Sequence, residues 1–326
     1  MTTQQSESLT RIIADIGGTN IRLAIVDEQA DGYYRNISTY KCADYAGLAE
    51  VLKLYISEQQ LEGSRLSACL AIACPVDDDL ISMTNLPWQF SQSALKETLK
   101  LESLTLINDY TAIAMAIPLL SEEQKVKIGD GEAVAGKPIS VCGPGTGLGV
   151  ANLIPVGDKW HCVSGEGGHV DYAPVGELEI EILRFLNKIK QRVSYEQLLS
   201  GYGLEQVYQA VSAIKQNPNT EKLSAQQVSE RGLSNDCEYC NLALNVFCRV
   251  LGAFAGNLAL TCNSVGGVYI AGGIVPRFVD FLKSTAFRER FENKGRLSHI
   301  PRQAPTYVIT ESQPGLLGAA AYAMQS

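Results

Sequence analysis

The sequence has few histidines, no cluster of positive charge and no long apolar segment. Only three histidines occur, so a histidine-rich metal site is excluded. No run of lysines and arginines stands out and the formal net charge is −8, so we expect neither nucleic acid nor an anionic membrane as a partner. No apolar run approaches the length of about 20 residues that spans a bilayer, so no transmembrane segment is expected. The start, MTTQQSESLT, lacks the basic and apolar regions of a secretory signal.

Cysteine is present, but not in the pattern of a disulfide framework. The sequence has nine cysteines, an odd number, and Cys69, Cys74 and Cys142 lie in apolar, strand-like runs. We interpret them as small buried side chains in a reducing compartment, and we expect a cytoplasmic protein. With 46% hydrophobic and 19% charged residues, the 326-residue chain has the composition of a globular protein of about two domains.

The most informative segment is residues 11–27, RIIADIGGTNIRLAIVD. Two apolar runs flank a short polar turn, which predicts a β-hairpin whose Gly-Gly pair allows positive φ. An ordinary hairpin turn is one interpretation, because Gly-Gly turns are common. A phosphate site is the other. Glycines expose backbone N–H groups, the Thr19 hydroxyl can donate to a phosphate oxygen, and Asp15 can hold a hydrated Mg²⁺.

A second copy of this pattern strengthens the phosphate interpretation. Residues 139–154, ISVCGPGTGLGVANLI, again place a glycine-rich turn between two apolar runs, and a further Gly-Gly turn occurs in VYIAGGIV at 268–275. Two strand–glycine–strand hairpins about half a chain apart indicate a duplicated fold with a nucleotide held between the halves. This pattern is typical of the actin-like, or hexokinase-like, ATPase fold.

The remaining patterns predict alternating strands and helices. Strands are predicted at 33–40, 66–74, 104–107, 268–271 and 306–309. Helices are predicted around 48–56, at 94–99 with Ser91 as cap, and at 110–117, 176–190, 194 onward, 242–260, 278–291 and 316–324, the last returning to the N-terminal half.

Two groups of polar residues on these helices are interpreted as structural. Glu177, Glu179 and Glu181 lie on an amphipathic helix and are expected on its solvated face. Cys237 and Cys240 form a CxxC pair at the start of a long helix, but no second pair or histidine follows at zinc spacing. Neither group is therefore expected to carry chemistry.

The pair Asn108-Asp109 is the strongest catalytic candidate. It follows the apolar strand 104–107 and precedes a helix, and ligands of open α/β sheets gather at the carboxyl ends of strands. Asp109 could act as a general base that accepts a proton from an attacking hydroxyl. The alternative is that Asn108 or Asp109 merely caps the following helix.

A second group of polar candidates lies on the segment 165–169, GEGGH. Glu166 and His169, separated by two glycines on a tight loop, suit hydrogen bonding to a polyol, although His169 could also be an ordinary loop histidine. Glu196 is predicted in the first turn of a helix, where an interaction with the helix dipole is an alternative explanation.

These segments together resemble bacterial glucokinase, the ATP-dependent, hexokinase-fold family of proteobacteria. The resemblance covers the chain beyond its first ten residues, in the family's order and spacing. Two departures are Ala14, where glycine can occur in the family, and Pro144, which removes one amide donor from the second turn. The match is carried by DIGGTN (15–20), INDYTAIAMAI (107–117), GPGTGLG (143–149), GEGGHVD (165–171), LSG (199–201), GGVYIAGGIVPRF (266–278) and PGLLG (314–318).

The resemblance implies a role for each matching residue. Asp109 matches the catalytic base that takes the proton from the sugar hydroxyl. Asn108, Asp109, Glu166, His169 and Glu196 match the glucose-binding residues. No protein side chain is implied as a direct metal ligand, although Asp15 could bind Mg²⁺ through water. The nucleotide-binding matches are Ala14, Asp15, Ile16, Gly17, Gly18, Thr19, Gly145, Thr146, Gly147, Gly272 and Gly273.

The resemblance also implies the architecture and the reaction. The fold is expected to be a two-domain α/β actin-like ATPase fold, ribonuclease H-like and hexokinase-type, with a duplicated hairpin-containing core and a cleft between domains. A small domain is expected at 1–110 plus 311–326 and a large domain at 111–310. The expected reaction is ATP- and Mg²⁺-dependent phosphorylation of the glucose 6-hydroxyl by a homodimer.

Three alternatives stay open at this point. The acceptor could be mannose, fructose or an amino sugar, because hydroxyl-level specificity depends on geometry that sequence order does not give. A sugar-sensing regulator is less favoured, because it would be expected to carry a basic helix-turn-helix and only about ten polar residues precede the first strand. An actin-like filament or chaperone ATPase would lack the Glu166/His169 loop.

Overall fold

The computed structural model describes residues 9–83, 86–218 and 221–325. The chain forms two compact units, one from the described parts of Met1–Leu120 and Glu311–Ser326 and the other from Ser121–Thr310. This division falls after Leu120, whereas the sequence places it after residue 110. The difference arises because residues 109–116 form a helix that packs against the C-terminal helix of the first unit.

Thirteen strands and eleven α-helices occur within the described residues. The strands are β1 (Thr10–Ile16), β2 (Asn20–Val26), β3 (Tyr34–Lys41), β4 (Leu66–Ile72), β5 (Leu80–Ser82), β6 (Gln89–Ser91), β7 (Ser103–Asn108), β8 (Lys125–Ile128), β9 (Ile139–Pro144), β10 (Leu148–Val156), β11 (Lys159–Ser164), β12 (Gly267–Ile270) and β13 (Thr306–Ile309). The helices are α1 (Leu48–Glu58), α2 (Gln92–Thr98), α3 (Asp109–Ala116), α4 (Glu177–Leu186), α5 (Gly201–Ile214), α6 (Ala225–Leu233), α7 (Glu238–Cys262), α8 (Val279–Ser284), α9 (Phe287–Glu292), α10 (His299–Gln303) and α11 (Pro314–Gln325).

The first unit is built on a five-stranded sheet in the order β3-β2-β1-β4-β7. The strands β1, β2 and β3 form an antiparallel meander, whereas β4 and β7 run parallel to β1. Every residue of β4 is buried, because α1 and the strand-flanking loops cover one face of the sheet and α3 and α11 cover the other. This explains why β4 is a continuous apolar run rather than an alternating one.

The second unit repeats this topology. Its sheet has the order β11-β10-β9-β12-β13-β8, in which β9, β10 and β11 form an antiparallel meander and β12 and β13 run parallel to β9. Only β8, antiparallel to β13, has no counterpart in the first sheet. The predicted hairpins at 11–27 and 139–154 are both confirmed, and so is the duplicated α/β core.

The helix α7 forms the centre of the second unit. A Cβ atom at Gly252 or Gly256 would lie 2.1 or 2.3 Å from a backbone oxygen of α9, so glycine permits this close helix packing. By length and composition α7 could cross a membrane, contrary to the expectation that no segment is apolar enough. However, 72% of its most apolar 18-residue stretch is buried inside the structure. Buried core helices can have the same length and composition as membrane-spanning ones.

Two of the helix predictions, at 278–291 and for Glu179, are wrong. The segment predicted as one helix at 278–291 forms α8 and α9, because the backbone of Thr285 is extended between them. Glu179 is not solvated but 2% exposed, and it accepts hydrogen bonds from the Tyr172 hydroxyl and the Val175 amide beside Arg290. Residues two apart on a helix lie on opposite sides, so Glu179 cannot share a face with Glu177.

The predicted burial of cysteines is confirmed. Cys69, Cys74 and Cys142 are at most 4% exposed, and burial raises the pKa of the Cys69 and Cys142 thiols to about 12. The sulfur of Cys237 caps α7 by accepting a hydrogen bond from the Cys240 amide, which agrees with a structural role for this pair. All nine cysteines are free thiols.

Packing of α11 on α3 generates a stability prediction. A Cβ at Gly318 would lie 1.6 Å from the carbonyl oxygen of Ala112, a backbone atom that cannot move alone. Gly318→Ala should therefore lower the free energy of unfolding by about 1–3 kcal/mol, because this overpacking exceeds the helix-propensity gain of about 1 kcal/mol. Chemical denaturation of both proteins would measure the difference.

Gly47→Ala is the matched control, because a Cβ at Gly47 would meet no atom within 4 Å. It should shift the unfolding transition by much less than Gly318→Ala. An unchanged or increased stability of Gly318→Ala would contradict the described packing of α11 on α3.

Candidate functional site

The predicted phosphate turn of the first unit connects β1 and β2. Gly17 N–H donates to Asn20 O at 3.0 Å, and Gly18 and Thr19 are exposed at the tip. Gly17 does not have positive φ, and a Cβ there would meet only Asn20 O at 3.5 Å. The positive φ that the Gly-Gly pair allows is therefore not adopted at Gly17, and the turn itself does not require glycine there. The absence of a side chain leaves the Gly17 backbone open to the close approach of a ligand.

The predicted nucleotide residues that precede this turn differ in which of their atoms could contact a ligand. Ala14 and Ile16 are at most 1% exposed, so their side chains belong to the core and only their backbone can contribute. Asp15 lies between them and faces the start of α11, where a Cβ at Gly315 would be 2.7 Å from its carboxyl carbon. Asp15 is therefore the one side chain among these three with the chemistry for a cation.

The environment of Asp15 disfavours its negative charge. Burial raises the pKa of the carboxyl above its usual value of 3.8, and the Arg22 guanidinium, 3.6 Å away, partly offsets this effect. Holding an ionised carboxylate in this position costs stability. Such a cost is common at functional sites, where a charge is kept for a ligand.

Asn108 and Asp109 lie where β7 ends and α3 begins. The Tyr110 amide donates to Asn108 Oδ1 at 2.9 Å and to Asp109 Oδ1 at 3.0 Å. The capping interpretation therefore holds for Asn108, whereas Asp109 is the first helical residue, one position earlier than predicted. Both are partly exposed, so the helix N-terminus presents Asp109 to solvent where its dipole favours a negative charge.

The sheet register brings these two predicted groups to one edge of the first unit. Ile16 pairs with Ile72 on β4, and Ile72 pairs with Asn108 on β7. The carboxyl ends of β1, β4 and β7 therefore share an edge, which is where ligands of such sheets bind. The turn at Gly17 and the Asn108-Asp109 pair lie at this edge.

In the second unit the glycine-rich turn connects β9 and β10. The turn is closed by Gly145 N–H, which donates to Gly147 O at 2.8 Å, and Thr146 is exposed at its tip. A Cβ at Gly272 would lie 2.4 Å from Pro144 O, and Gly272 has a φ of +84°. Glycine is therefore required at 272 so that the two predicted nucleotide turns can lie side by side.

The loop that carries Glu166 and His169 is held against the start of β10. A Cβ at Gly168 would lie 2.1 Å from Leu148 O, so only glycine fits there. The loop ends in a 3₁₀ turn, Gly167–His169, with the Glu166 side chain exposed just before it. His169 Nε2 lies 3.8 Å from Glu196 Oε1, so the loop and the Glu196 segment meet.

The surroundings of Glu196 differ from the prediction. It lies in a 3₁₀ turn, Tyr195–Gln197, and the α-helix α5 begins only at Gly201 after the cap Ser200. Its carboxylate accepts a hydrogen bond from Leu148 N–H at 2.9 Å. The interaction of Glu196 is thus with the end of the glycine-rich turn and not with the dipole of a helix that it begins.

One residue that fixes this loop was missed by sequence reasoning. Arg192 Nε donates to Asp171 Oδ1 at 2.5 Å, and its Nη2 donates to the carbonyl oxygen of His169. Arg192 therefore holds the backbone carbonyl of His169 and the side chain of Asp171, on either side of Val170. The only signal in the sequence was the acidic residue Asp171 at the end of GEGGHVD, because nothing marks a partner 21 residues later.

Comparisons with known proteins give one consistent result. A family model described as Glucokinase matches residues 12–326. The glucokinase of Colwellia psychrerythraea is 60% identical, with 100% of this chain and 99% of the relative covered. The glucokinase of Photorhabdus laumondii is 49% identical, with 98% of each chain covered.

Solved structures agree with the sequence relatives. A glucokinase from an Antarctic psychrotroph superposes with a TM-score of 0.90 at 36% identity, covering 97% of this chain and 99% of that one. A ROK family glucokinase from Streptomyces griseus, in complex with glucose and AMPPNP, has a TM-score of 0.62 at 18% identity and covers 97% and 100%. The second likeness shows the actin-like ATPase fold alone. On its family match, its full-length relatives and its fold, this chain belongs to the glucokinase family.

Proposed function

We propose that the protein phosphorylates D-glucose at its 6-hydroxyl, using ATP, and releases glucose 6-phosphate and ADP. The observation that carries this proposal is the position of Asp109, a partly exposed carboxylate at the N-terminus of α3 and at the carboxyl end of β7. The full-length relation to proteins named glucokinase supports the choice of reaction.

Asp109 would act as the general base. Its carboxylate accepts the proton of the 6-hydroxyl as the hydroxyl oxygen forms a bond to the γ-phosphorus and the bond to the ADP oxygen breaks. Asn108 keeps its amide oxygen on the Tyr110 N–H, which leaves its amide nitrogen to donate to the sugar. Positioning supplies most of the rate in such transfers.

Three side chains of the second unit would bind the sugar hydroxyls. Glu166 and Glu196 can accept hydrogen bonds from hydroxyl groups, and His169 can either donate or accept. Glu196 already has one oxygen on Leu148 N–H, so its other oxygen, 3.8 Å from His169, would serve the ligand. A mixed set of acceptors and donors suits a polyol.

The nucleotide phosphates would bind to backbone amides of the glycine turns. A Cβ at Gly145 or Gly273 would meet no atom within 4 Å, and neither residue has positive φ, so the fold does not explain glycine at either place. Close approach of phosphate and adenosine does explain it. The Streptomyces griseus neighbour was solved with AMPPNP, which supports ATP as the donor.

Mg²⁺ would enter with the nucleotide. Within the described ranges no group of three or more His, Cys, Asp or Glu residues could hold a metal ion. In the proposed complex, phosphate oxygens and water would carry the ion. Asp15 would hold it through a water molecule. When bound, Mg²⁺ neutralises charge that develops on the phosphates. A homodimer in the cytoplasm is proposed from the family resemblance.

The function itself is tested with a sugar panel. Purified protein should transfer phosphate from ATP to glucose in preference to mannose, fructose and glucosamine, and only with Mg²⁺ present. A coupled assay for ADP would measure each rate. Activity on another hexose would reassign the acceptor, whereas no activity on any sugar would contradict a kinase and favour a sugar-sensing regulator.

Asp109→Asn tests the proposed base. The amide has the same shape but cannot take the proton, so kcat should fall by about 10²–10⁴. The dissociation constant for glucose should stay within about tenfold, or 1.4 kcal/mol. Asp31→Asn, an exposed carboxylate in the same unit, is the matched control and should keep its kcat. Near-normal turnover of Asp109→Asn would remove Asp109 from this role.

Asp15→Asn should raise stability at pH 8 and lower kinase activity. Because the pKa of Asp15 is raised in the folded state, folding binds protons, and stability falls as pH rises from about 3.8 through the folded-state pKa. The asparagine variant should therefore melt at a higher temperature than the parent at pH 8, with a smaller gain near pH 4.5, while kinase activity falls. Thermal melts at both pH values would measure this. A lower melting temperature at pH 8 would contradict it.

A further inference from the structure

We propose that the glycine-rich turn Gly145–Gly147, assigned above to the nucleotide, also positions the sugar-binding carboxylate of Glu196. Gly147 is then a positioning residue for the sugar, although it does not itself face a hydroxyl. This inference rests on the proposed function, in which Glu196 binds glucose.

The contact between the turn and the carboxylate is direct. Glu196 Oε2 accepts the Leu148 N–H at 2.9 Å, and a Cβ built at Gly147 would lie 2.6 Å from the same oxygen. The backbone of Gly147 does not have positive φ, so conformation does not require glycine there. The requirement comes from the carboxylate, because a Cβ at position 147 would displace Glu196 Oε2 from its present place on the amide.

The same residue, Leu148, also supports the other sugar-binding element. A Cβ at Gly168 would lie 2.1 Å from Leu148 O, so the loop that carries Glu166 and His169 rests on the carbonyl of Leu148 while Glu196 takes its amide. The positions of both sugar-binding elements are therefore set by one residue of backbone, immediately after the turn.

The turn and Glu196 are tied together at a second place. Gly201 N–H donates to Gly145 O at 2.9 Å. Ser200 Oγ donates to the carbonyl of Glu196 at 2.9 Å and accepts from Gly203 N–H as the cap of α5. The segment 196–201 thus holds both ends of the turn, which gives a physical role to the Leu199-Ser200-Gly201 part of the family resemblance.

Coupling between the two substrates follows from this arrangement. A phosphate that binds to the amides of the turn shifts or stiffens the backbone that holds Glu196, and a sugar that binds Glu196 does the same to the turn. The two binding free energies must then change each other by the same amount. The connection lies entirely within the second unit.

The test alters the nucleotide turn and measures binding of the sugar. Gly147→Ala changes the nucleotide turn, and calorimetric titration with glucose, without nucleotide, reads the sugar site. The dissociation constant for glucose should rise by about tenfold or more, the effect of displacing a charge-assisted hydrogen bond. Wild-type affinity in Gly147→Ala would overturn the proposal.

Gly145→Ala is the matched control. It makes the same substitution two residues earlier, where the new Cβ would meet no atom within 4 Å. Its glucose affinity should stay within about twofold of the parent, even if its KM for ATP rises. Equal losses of glucose affinity in both variants would indicate general damage to the turn and would also overturn the proposal.

A second background covers the case in which Gly147→Ala does not fold. Glu196→Asp shortens the side chain by one methylene and makes room for the new Cβ, so the double variant should fold and should bind glucose about as tightly as Glu196→Asp alone. A further loss of about tenfold on adding Gly147→Ala to Glu196→Asp would overturn the proposal. If the parent protein does not bind glucose, the proposed function is contradicted instead. The same titration would then be repeated with the hexose that the sugar panel selects.

Discussion

In each unit the first strand of the hairpin pairs in parallel with a later strand. The positions of the candidate residues depend on this pairing. In the first unit β1 pairs with β4, and in the second β9 pairs with β12. Carboxyl ends of parallel strands share one edge, so a turn that follows one strand lies beside whatever follows the next. This brings Gly17 and Asp109 to one edge, and Gly145 and Gly273 to another.

The glycines of these turns have two different physical purposes. Gly168 and Gly272 are required by the fold, since a Cβ at each would lie within 2.4 Å of a backbone oxygen, whereas a Cβ at Gly147 would lie 2.6 Å from the Glu196 carboxylate. Gly145 and Gly273 face open space without positive φ, so neither packing nor conformation requires glycine there. In GPGTGLG, therefore, a close contact accounts for Gly147 but not for Gly145, and only the structure separates the two.

Local pattern predicted much of the fold, and long-range contacts account for what it missed. The strand at 306–309 and both hairpins follow from apolar runs bounded by turn residues. Glu179 was misplaced because its partner Arg290 lies 111 residues away, and the Glu196 contact was missed because Leu148 lies 48 residues away. No spacing rule connects such residues. The roles of Asp109 and of the sugar-binding residues, which rest on their sequence positions and on family resemblance, stay predictions.

The position of α11 has a consequence for how the chain is made. This last helix supplies Leu316, Ala319 and Ala320 to the core between the first sheet and α3. Synthesis is vectorial, so the first unit cannot be completed when its own strands leave the ribosome. Translation proceeds at about 5–20 residues per second, so the first unit must wait about ten seconds or more while the second unit is made. The unit that begins first on the chain is therefore the last to finish, and until then one face of its sheet has only α3 as cover.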